Sequence, residues 1–213
     1  MYFEDRRHAG RLLAAALGFL RGEQQLLVLG IPRGGIVVAA EIAKALHAPL
    51  DVYIVRKIGA PYNPEMAIGA VASDGTVVLD QPLIAHLNIP AEYVHQETER
   101  QRKEIERRSK AYRGTREEQP ITGKAVVLID DGVATGSTVL AALRAIRQKS
   151  PARLVLAVPV GPPESIRELS KEADQVICLE TPESFWAVGA YYAVFDQTSD
   201  AEVIMLLDES AQQ

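Results

Sequence analysis

Apolar positions recur along the chain with two different periods, which predicts strands and helices in turn. Short apolar runs typical of buried strands occur at residues 26–30, at about 51–56, and later in KAVVLID, ARLVLAVPV and DQVICLE. Apolar positions at helical spacing follow at residues 36–47, in GSTVLAALRAIRQK and in PESIRELSKEA. Strands separated by amphipathic helices are typical of a parallel sheet with right-handed crossovers. The sequence therefore predicts an α/β fold.

Other segments have patterns of their own. Residues 6–21 have helical spacing, whereas residues 57–68 (KIGAPYNPEMAI) are rich in Gly and Pro and predict a loop. The overlapping segment AIGAVASDGTVVLD predicts a hairpin that turns at residues 73–75. Further along, SFWAVGAYYAVF is composed of aromatic and small residues, and DAEVIMLLDE predicts a short helix.

Residues 89–118 differ from the rest because they are dense in charge of both signs. Glu and Lys or Arg recur four residues apart, at Glu99 and Lys103, Glu104 and Arg108, and Glu106 and Lys110. The apolar stripe is thin and consists of Val94, Ile105 and Tyr112, with Thr98 and Gln101 between them. This pattern predicts one long, largely solvated helix that ends near Gly114. It could serve as a surface arm, a dimer contact or a lid.

Composition narrows the class of protein. The chain has 213 residues, which suits one domain over residues 1–213, with residues 80–118 as a helical insertion. The net charge of -5 argues against duplex nucleic acid as the main partner, although it allows a local basic pocket. The single cysteine, Cys178, lies in an apolar run and fits a buried thiol in a reducing cytoplasm. The apolar run LLAAALGFL is too short to span a bilayer, so no membrane is expected.

Two adjacent carboxylates, Asp130 and Asp131, directly follow the apolar run AVVLI. In a parallel sheet, ligands bind outside the carboxyl ends of the strands. Residues 132–138 then lead into a helix, so backbone N–H groups and the helix N-terminus can bind an anion such as phosphate. Carboxylates repel phosphate, so the acids must face ribose hydroxyls or Mg²⁺ with its water shell. A ribose 5-phosphate satisfies both requirements.

The segment VVLIDDGVATGST resembles the PRPP-binding motif of type I phosphoribosyltransferases, in which an apolar strand, two acids and a T-G-x-T loop follow one another. The resemblance implies that helices cover both faces of the parallel sheet and that a hood lies over the base. Together with RRHAG, IPRGG, KIGAPYNPEMAIGAV and AVGAYYAVF, the motif resembles a bacterial branch of predicted phosphoribosyltransferases without an assigned acceptor. The residues that the motif assigns to PRPP are Asp130, Asp131, Val133, Ala134, Thr135, Gly136, Ser137 and Thr138.

The segment IPRGG follows the first strand and opens a helix. In the resembled family this position is the pyrophosphate loop, which often contains an unusual cis peptide. Gly34 and Gly35 allow close approach of the backbone to a ligand, and Arg33 supplies a bidentate guanidinium. A simple helix-entry turn is the alternative interpretation of the same residues.

Residues 57–68 occupy the place of the flexible catalytic loop in the resembled family. Arg56 and Lys57 stand at its start and could neutralise the charge that builds on departing pyrophosphate. They could equally be ordinary cations at the end of a strand. Glu65 is the one carboxylate within this segment, which makes it a candidate proton acceptor for a base nitrogen.

Two segments could form the hood over the acceptor. One is the aromatic stretch at 185–195, which is part of a possible hood at about 180–200, and the other is the long helix. Phe185 and Trp186 could stack on a planar base, although core packing is the alternative for such residues. The 6-oxopurine enzymes of the resembled family carry Asp immediately before the Thr-Gly of the loop, where this chain has Ala134. The site therefore resembles that of the adenine and uracil enzymes.

The resemblance implies an enzyme that transfers ribose 5-phosphate from PRPP to a nitrogenous, nucleobase-like acceptor and releases pyrophosphate. Mg²⁺ would be the cofactor, held by Asp130 and Asp131 through water or the ribose hydroxyls. A homodimer is expected from the resemblance alone. A PRPP-sensing regulator without transferase activity is the main alternative, and hydrolysis or phosphorolysis of a nucleotide is a third.

Overall fold

The computed structural model describes residues 2–212, without the side chain of Glu65. Over these residues the strands are β1 (Leu26–Gly30), β2 (Leu50–Val52), β3 (Val55–Ala60), β4 (Asn63–Ala72), β5 (Val77–Leu79), β6 (Ala125–Ile129), β7 (Arg153–Val160) and β8 (Gln175–Glu180). The helices are α1 (Arg6–Ala16), α2 (Gly34–Leu46), α3 (Gln81–His86), α4 (Ala91–Arg113), α5 (Ser137–Gln148), α6 (Pro163–Leu169) and α7 (Asp200–Ala211).

A five-stranded parallel sheet in the order β2-β1-β6-β7-β8 forms the centre of the fold. Alternate residues of its strands point to opposite faces, so each face receives its own helices. Leu27, Leu128 and Leu156 pack against α5 and α6, whereas Val28 and Val127 pack against α1 and α2. The predicted α/β fold, with helices on both faces of a parallel sheet, is confirmed.

Three predicted boundaries differ from the observed ones. The run predicted as one strand at 51–56 is two strands, because the chain leaves the parallel sheet after β2 and enters a second sheet at β3. The predicted helix at 6–21 ends at Ala16 and continues as a separate 3-10 turn at Gly18–Leu20. The helix predicted from PESIRELSKEA ends at Leu169.

The loop predicted at 57–68 is wrong, because these residues form most of a β-hairpin. Strands β3, β4 and β5 make an antiparallel sheet, and β3 turns directly into β4 at residues 61–62. Ile58 and Ile68 are buried in a core cluster below the hairpin. Gly59 allows the strands to lie close, because a Cβ there would lie 2.6 Å from the Pro64 carbonyl oxygen. The predicted turn at 73–75 joins β4 to β5 and is confirmed.

The charged segment forms α4, after the short helix α3. Helix α4 packs against the second sheet and α7. Its buried face contains every member of the predicted stripe, Val94, Thr98, Gln101, Ile105 and Tyr112. The predicted ion pair between Glu104 and Arg108 is present, with 2.7 Å between Nε and Oε1. The long helix is therefore confirmed, and its buried face lies beside β3.

The aromatic stretch after β8 contains one 3-10 turn, Val188–Tyr191, and a parallel bridge joins Tyr192 to Phe3. The N-terminal residues and this stretch therefore lie side by side. No helix within residues 2–212 is both long enough and apolar enough to cross a membrane.

Candidate functional site

Two segments that are far apart in sequence meet at one edge of the parallel sheet. Strand β1 pairs with β6 so that Gly30 lies opposite Ile129, and the Ile31 N–H donates to the Ile129 carbonyl at 2.9 Å. IPRGG and the Asp130–Asp131 pair follow these two strand ends. Because the strands are parallel, both segments emerge at the carboxyl edge, where this class of sheet binds ligands.

The glycines of IPRGG lie directly against the acid pair. A Cβ on Gly35 would lie 2.9 Å from the Ile129 carbonyl oxygen and 3.0 Å from Asp130 Cα. A Cβ on Gly34 would lie 2.6 Å from Asp131 Cγ. Both positions therefore exclude a side chain. The peptide bond between Pro32 and Arg33 is cis, as the resemblance implied for this loop.

Residues 132–138 form a short loop that ends at the first turn of α5. The Val133 N–H donates to the Val160 carbonyl at 2.8 Å, and the Ser165 hydroxyl donates to the Ala134 carbonyl at 2.7 Å. Gly136 precedes the helix with φ +75°, a conformation that favours glycine. The loop is thereby fixed at both sides of its exposed tip. Its hydroxyls gather at the N-terminus of α5, with 3.3 Å between Thr135 Oγ1 and Ser137 Oγ.

Arg6 holds Asp131, although the sequence did not single out this residue by itself. Its Nε donates to Asp131 Oδ2 at 2.7 Å, and its Nη1 donates to the Asp196 carbonyl at 2.7 Å. The guanidinium also lies over the Phe195 ring, 3.9 Å from its centroid. The only sequence signal was its place in RRHAG, one of the motifs that carried the resemblance.

Tyr192 supports the same acid from the aromatic stretch. Its hydroxyl donates to the Asp131 carbonyl at 2.6 Å, and burial raises the pKa of that hydroxyl. A Cβ on Gly132 would lie 3.0 Å from Val188 Cγ2, so the 3-10 turn of this stretch also contacts the loop. The N-terminal helix and the aromatic stretch therefore converge on the acid pair.

Asp130 is in an electrostatically unfavourable position, although Arg6 pairs with its neighbour Asp131. Burial, and then the neighbouring Asp131 charge, raise the pKa of Asp130 well above its ordinary value. The Asp131 N–H donates to Asp130 Oδ1 at 2.9 Å, which offsets part of this cost. Hydroxyl donors or a cation placed at the pair would favour the ionised form of Asp130.

The candidate cations have two separate sets of neighbours. Arg33 Nη1 is 3.8 Å from Asp200 Oδ1 at the start of α7. Arg56 and Lys57 line a cavity of about 310 Å³ together with Thr138 of the loop and residues of α4. The backbone of Glu65 lies in β4, and its side chain lies outside the described part of the structure.

Phe185 and Trp186 have different surroundings. The Phe185 ring stacks on Tyr191 at 5.6 Å between centroids, within the cluster that contains Phe3 and Tyr192. Trp186 is 90% exposed. Phe185 is therefore part of the packing beneath the aromatic stretch, whereas Trp186 is free to meet a ligand or another surface.

A comparison with known protein families identifies the chain. The family model described as the phosphoribosyl transferase domain matches residues 5–195. The chain belongs to the phosphoribosyltransferase family. The match spans α1, both loops at the sheet edge and the aromatic stretch.

Similar proteins agree with that family assignment. A Mycobacterium tuberculosis H37Rv protein that carries a provisional phosphoribosyl transferase name is 44% identical over 208 residues, covering 98% of this chain and 47% of that protein. A second such protein, from strain CDC 1551, gives the same values. The chain thus spans about half the length of the curated relatives it matches.

Solved structures show the same fold. The crystal structure of TT1426 from Thermus thermophilus is 46% identical, with a TM-score of 0.90, and the match covers 98% of this chain and 99% of that one. A hypothetical protein from Neisseria gonorrhoeae, solved with bound ppGpp, is 14% identical with a TM-score of 0.50, covering 98% of this chain and 94% of that one. At that identity the Neisseria structure supports the fold alone.

Asp130 and Asp131 are the two carboxylates at this edge that would be available to a Mg²⁺ ion. Among the side chains that the structure describes, which leave out Glu65, no group of three or more His, Cys, Asp or Glu could hold a metal ion. Asp131 is already paired with Arg6, so a bound Mg²⁺ would take most of its ligands from water and from the substrate. The donor set fits an ion that arrives with a phosphorylated substrate.

Proposed function

We propose that this phosphoribosyltransferase transfers ribose 5-phosphate from PRPP to a nitrogenous, nucleobase-like acceptor and releases pyrophosphate, with Mg²⁺ as cofactor. The observation that carries the proposal is the meeting of the acid pair, the loop at 132–138 and IPRGG at one edge of the sheet. An anion-binding loop beside two carboxylates suits a ligand that has a phosphate at one end and hydroxyls nearby.

Each part of PRPP has a partner in this arrangement. The 5-phosphate would accept hydrogen bonds from the N–H groups of residues 134–138 and from the hydroxyls of Thr135, Ser137 and Thr138, whereas Val133 would support the loop through its bond to Val160. The ribose 2′- and 3′-hydroxyls would donate to Asp130 and Asp131, which would favour the ionised form of Asp130. The pyrophosphate would lie along the backbone of Gly34 and Gly35 on the side away from the acid pair, because Asp130 and Asp131 fill the side on which a Cβ would point. Bound Mg²⁺, held by the acids through water or the ribose hydroxyls, would add positive charge beside the pyrophosphate.

Catalysis would rest on positioning and on charge stabilisation. As the bond to pyrophosphate breaks, negative charge grows on the leaving group, and Arg33, Arg56 and Lys57 would stabilise it. Glu65 is our candidate for the group that accepts the proton of the acceptor nitrogen. The exposed ring of Trp186, which lies in the aromatic stretch whose Val188 contacts Gly132, is our candidate to stack on the acceptor, while Phe185 would support it from the packed side.

The acceptor is expected to differ from hypoxanthine and guanine. Ala134 stands where the resembled 6-oxopurine enzymes place an Asp, and its carbonyl is already bonded to Ser165. The position therefore offers the base no carboxylate. We also expect a homodimer in a reducing cytoplasm, which is consistent with the single cysteine.

Pyrophosphate release from Mg²⁺-PRPP in the presence of single acceptors tests the proposal. The panel is adenine, uracil, cytosine, orotate, hypoxanthine, guanine, xanthine and nicotinate. We expect release with one acceptor outside the hypoxanthine and guanine pair. PRPP binding without release across the panel would replace the transferase with a PRPP-sensing regulator, and acceptor-independent release would indicate hydrolysis.

A further inference from the structure

One face of α4 runs past both sets of cations that we assign to the leaving group. Gln101, Glu104, Arg108 and Tyr112 are spaced by three, four and four residues, so they share one side of the helix. At one end, Arg56 Nε donates to Gln101 Oε1 at 2.9 Å. This end of the face is therefore fixed to β3.

The other end of the face reaches the pyrophosphate loop. The Tyr112 hydroxyl donates to Asp200 Oδ1 at 2.9 Å, and the same oxygen lies 3.8 Å from Arg33 Nη1. Residues 101 and 112 are separated by three turns of helix, or roughly 16 Å at 1.5 Å per residue. Arg108 lies between these two ends, on the stretch of α4 that separates Arg56 from Arg33.

Arg108 is held in place and is only partly neutralised. Its side chain is 33% exposed, and its Nε donates to Glu104 Oε1 at 2.7 Å. Glu104 also accepts two hydrogen bonds from Arg107, both at 2.9 Å. One carboxylate thus serves two guanidiniums, and the pair of arginines retains an excess of positive charge.

The excess positive charge on α4 affects Arg56 in β3. Burial, and then the nearby Arg108 guanidinium, lower the pKa of Arg56. An anion between the two arginines would relieve this repulsion, because it would favour the charged form of both. The protein as a whole has a net charge of -5, so this positive region is a local feature.

We propose that Arg108 binds the pyrophosphate group of PRPP, between Arg56 on one side and Arg33 on the other. The inserted helix would then supply a residue of the substrate site. This inference rests on the proposed function, because it assumes that the leaving group is pyrophosphate. The place of Arg108 on a packed helix would preorganise its guanidinium for the oxygens of the anionic pyrophosphate.

The test compares Arg108→Met with Arg102→Met by calorimetric titration of pyrophosphate and, separately, of ribose 5-phosphate, at fixed Mg²⁺ and ionic strength. Arg102 is a matched control, because it lies on the same helix and pairs with Glu99 at 2.8 Å. After Arg108→Met, Glu104 keeps its pairing with Arg107, so the helix should remain folded. Thermal melting of both variants checks this.

We expect Arg108→Met to weaken pyrophosphate binding about tenfold or more, which corresponds to about 1.4 kcal/mol, and to leave ribose 5-phosphate binding unchanged. Arg102→Met should leave the affinity for both ligands unchanged. The pyrophosphate affinity of Arg108→Lys should lie between those of the wild type and Arg108→Met. Equal pyrophosphate affinity in the Arg108 and Arg102 variants would overturn the inference, and so would an equal loss for both ligands in Arg108→Met. A wild-type protein that binds neither ligand would overturn the proposed function itself.

Discussion

Asp131→Asn removes one charge from the acid pair with little change in volume. The carboxylate accepts from Arg6 Nε at 2.7 Å, and the two side chains, Arg6 and Asp131, are 12% and 17% exposed. The Tyr192 hydroxyl binds the Asp131 carbonyl, and this bond does not depend on the side chain. The fold should therefore survive the substitution, while both the ion pair and the charged acceptor are lost.

Two magnitudes follow from these contacts. An Asn oxygen can still accept from the charged Arg6 guanidinium, so the cost is the lost attraction between the two charges, on the order of 1 kcal/mol, part of which is offset because Asp131 no longer repels Asp130. We expect a loss of about 1 kcal/mol in the free energy of unfolding, or roughly 2–4 °C in Tm for a chain of this size. If Asp131 accepts from a ribose hydroxyl, losing the charge should weaken PRPP binding roughly tenfold, since about 1.4 kcal/mol is a factor of ten.

The assay is calorimetric titration of Mg²⁺-PRPP, with thermal melting of the same samples. Asp208→Asn is the matched control, since Asp208 pairs with Arg116 at 2.8 Å on the exposed side of α7. It should leave PRPP binding unchanged. PRPP affinity in Asp131→Asn equal to that of the control would refute the assignment of the ribose to this acid.

Three further predictions concern the same edge and the single thiol. Gly34→Ala should abolish PRPP binding in a protein that still folds, because the new Cβ would lie 2.6 Å from Asp131 Cγ; unaltered binding would contradict the close approach. Arg33→Ala should lower kcat more than it raises the Kd for PRPP, as steady-state kinetics and titration would show; full turnover would remove Arg33 from the site. Burial raises the pKa of Cys178 from 9.0 to about 11, so alkylation by iodoacetamide should be slow at pH 8. Because the folded pKa is the higher one, this thiol stabilises the fold below about pH 9, and its contribution is lost as pH rises through 11; rapid alkylation of the native protein at pH 8 would contradict the burial.

Local patterns predicted the central sheet because its strands are continuous apolar runs. The strand at 26–30 has the observed bounds, and the residues of the stripe predicted on α4 are all buried, although the stripe did not include Arg113, which is buried as well. The acid pair could be placed at the carboxyl edge because the sheet is parallel and the acids follow a strand directly. These features depend on residues that are neighbours in sequence, so they can be predicted from the sequence alone.

Features that depend on distant contacts could not be predicted in this way. Arg6 and Asp131 are 125 residues apart, and only the folded chain brings them together. The hairpin of β3 and β4 was interpreted as a loop because Gly and Pro usually punctuate structure, whereas here Gly59 allows two strands to approach closely. The direction in which α4 faces the site likewise follows from its packing on β3 and α7.

Direct titration of PRPP into the wild-type protein, with and without Mg²⁺, tests the central claim that this sheet edge is a PRPP site. We expect saturable binding at one site per chain, stronger with Mg²⁺, with competition by both ribose 5-phosphate and pyrophosphate. Gly34→Ala, titrated in parallel, should show no binding. The absence of PRPP binding to the folded wild-type protein, or undiminished binding to Gly34→Ala, would contradict the claim.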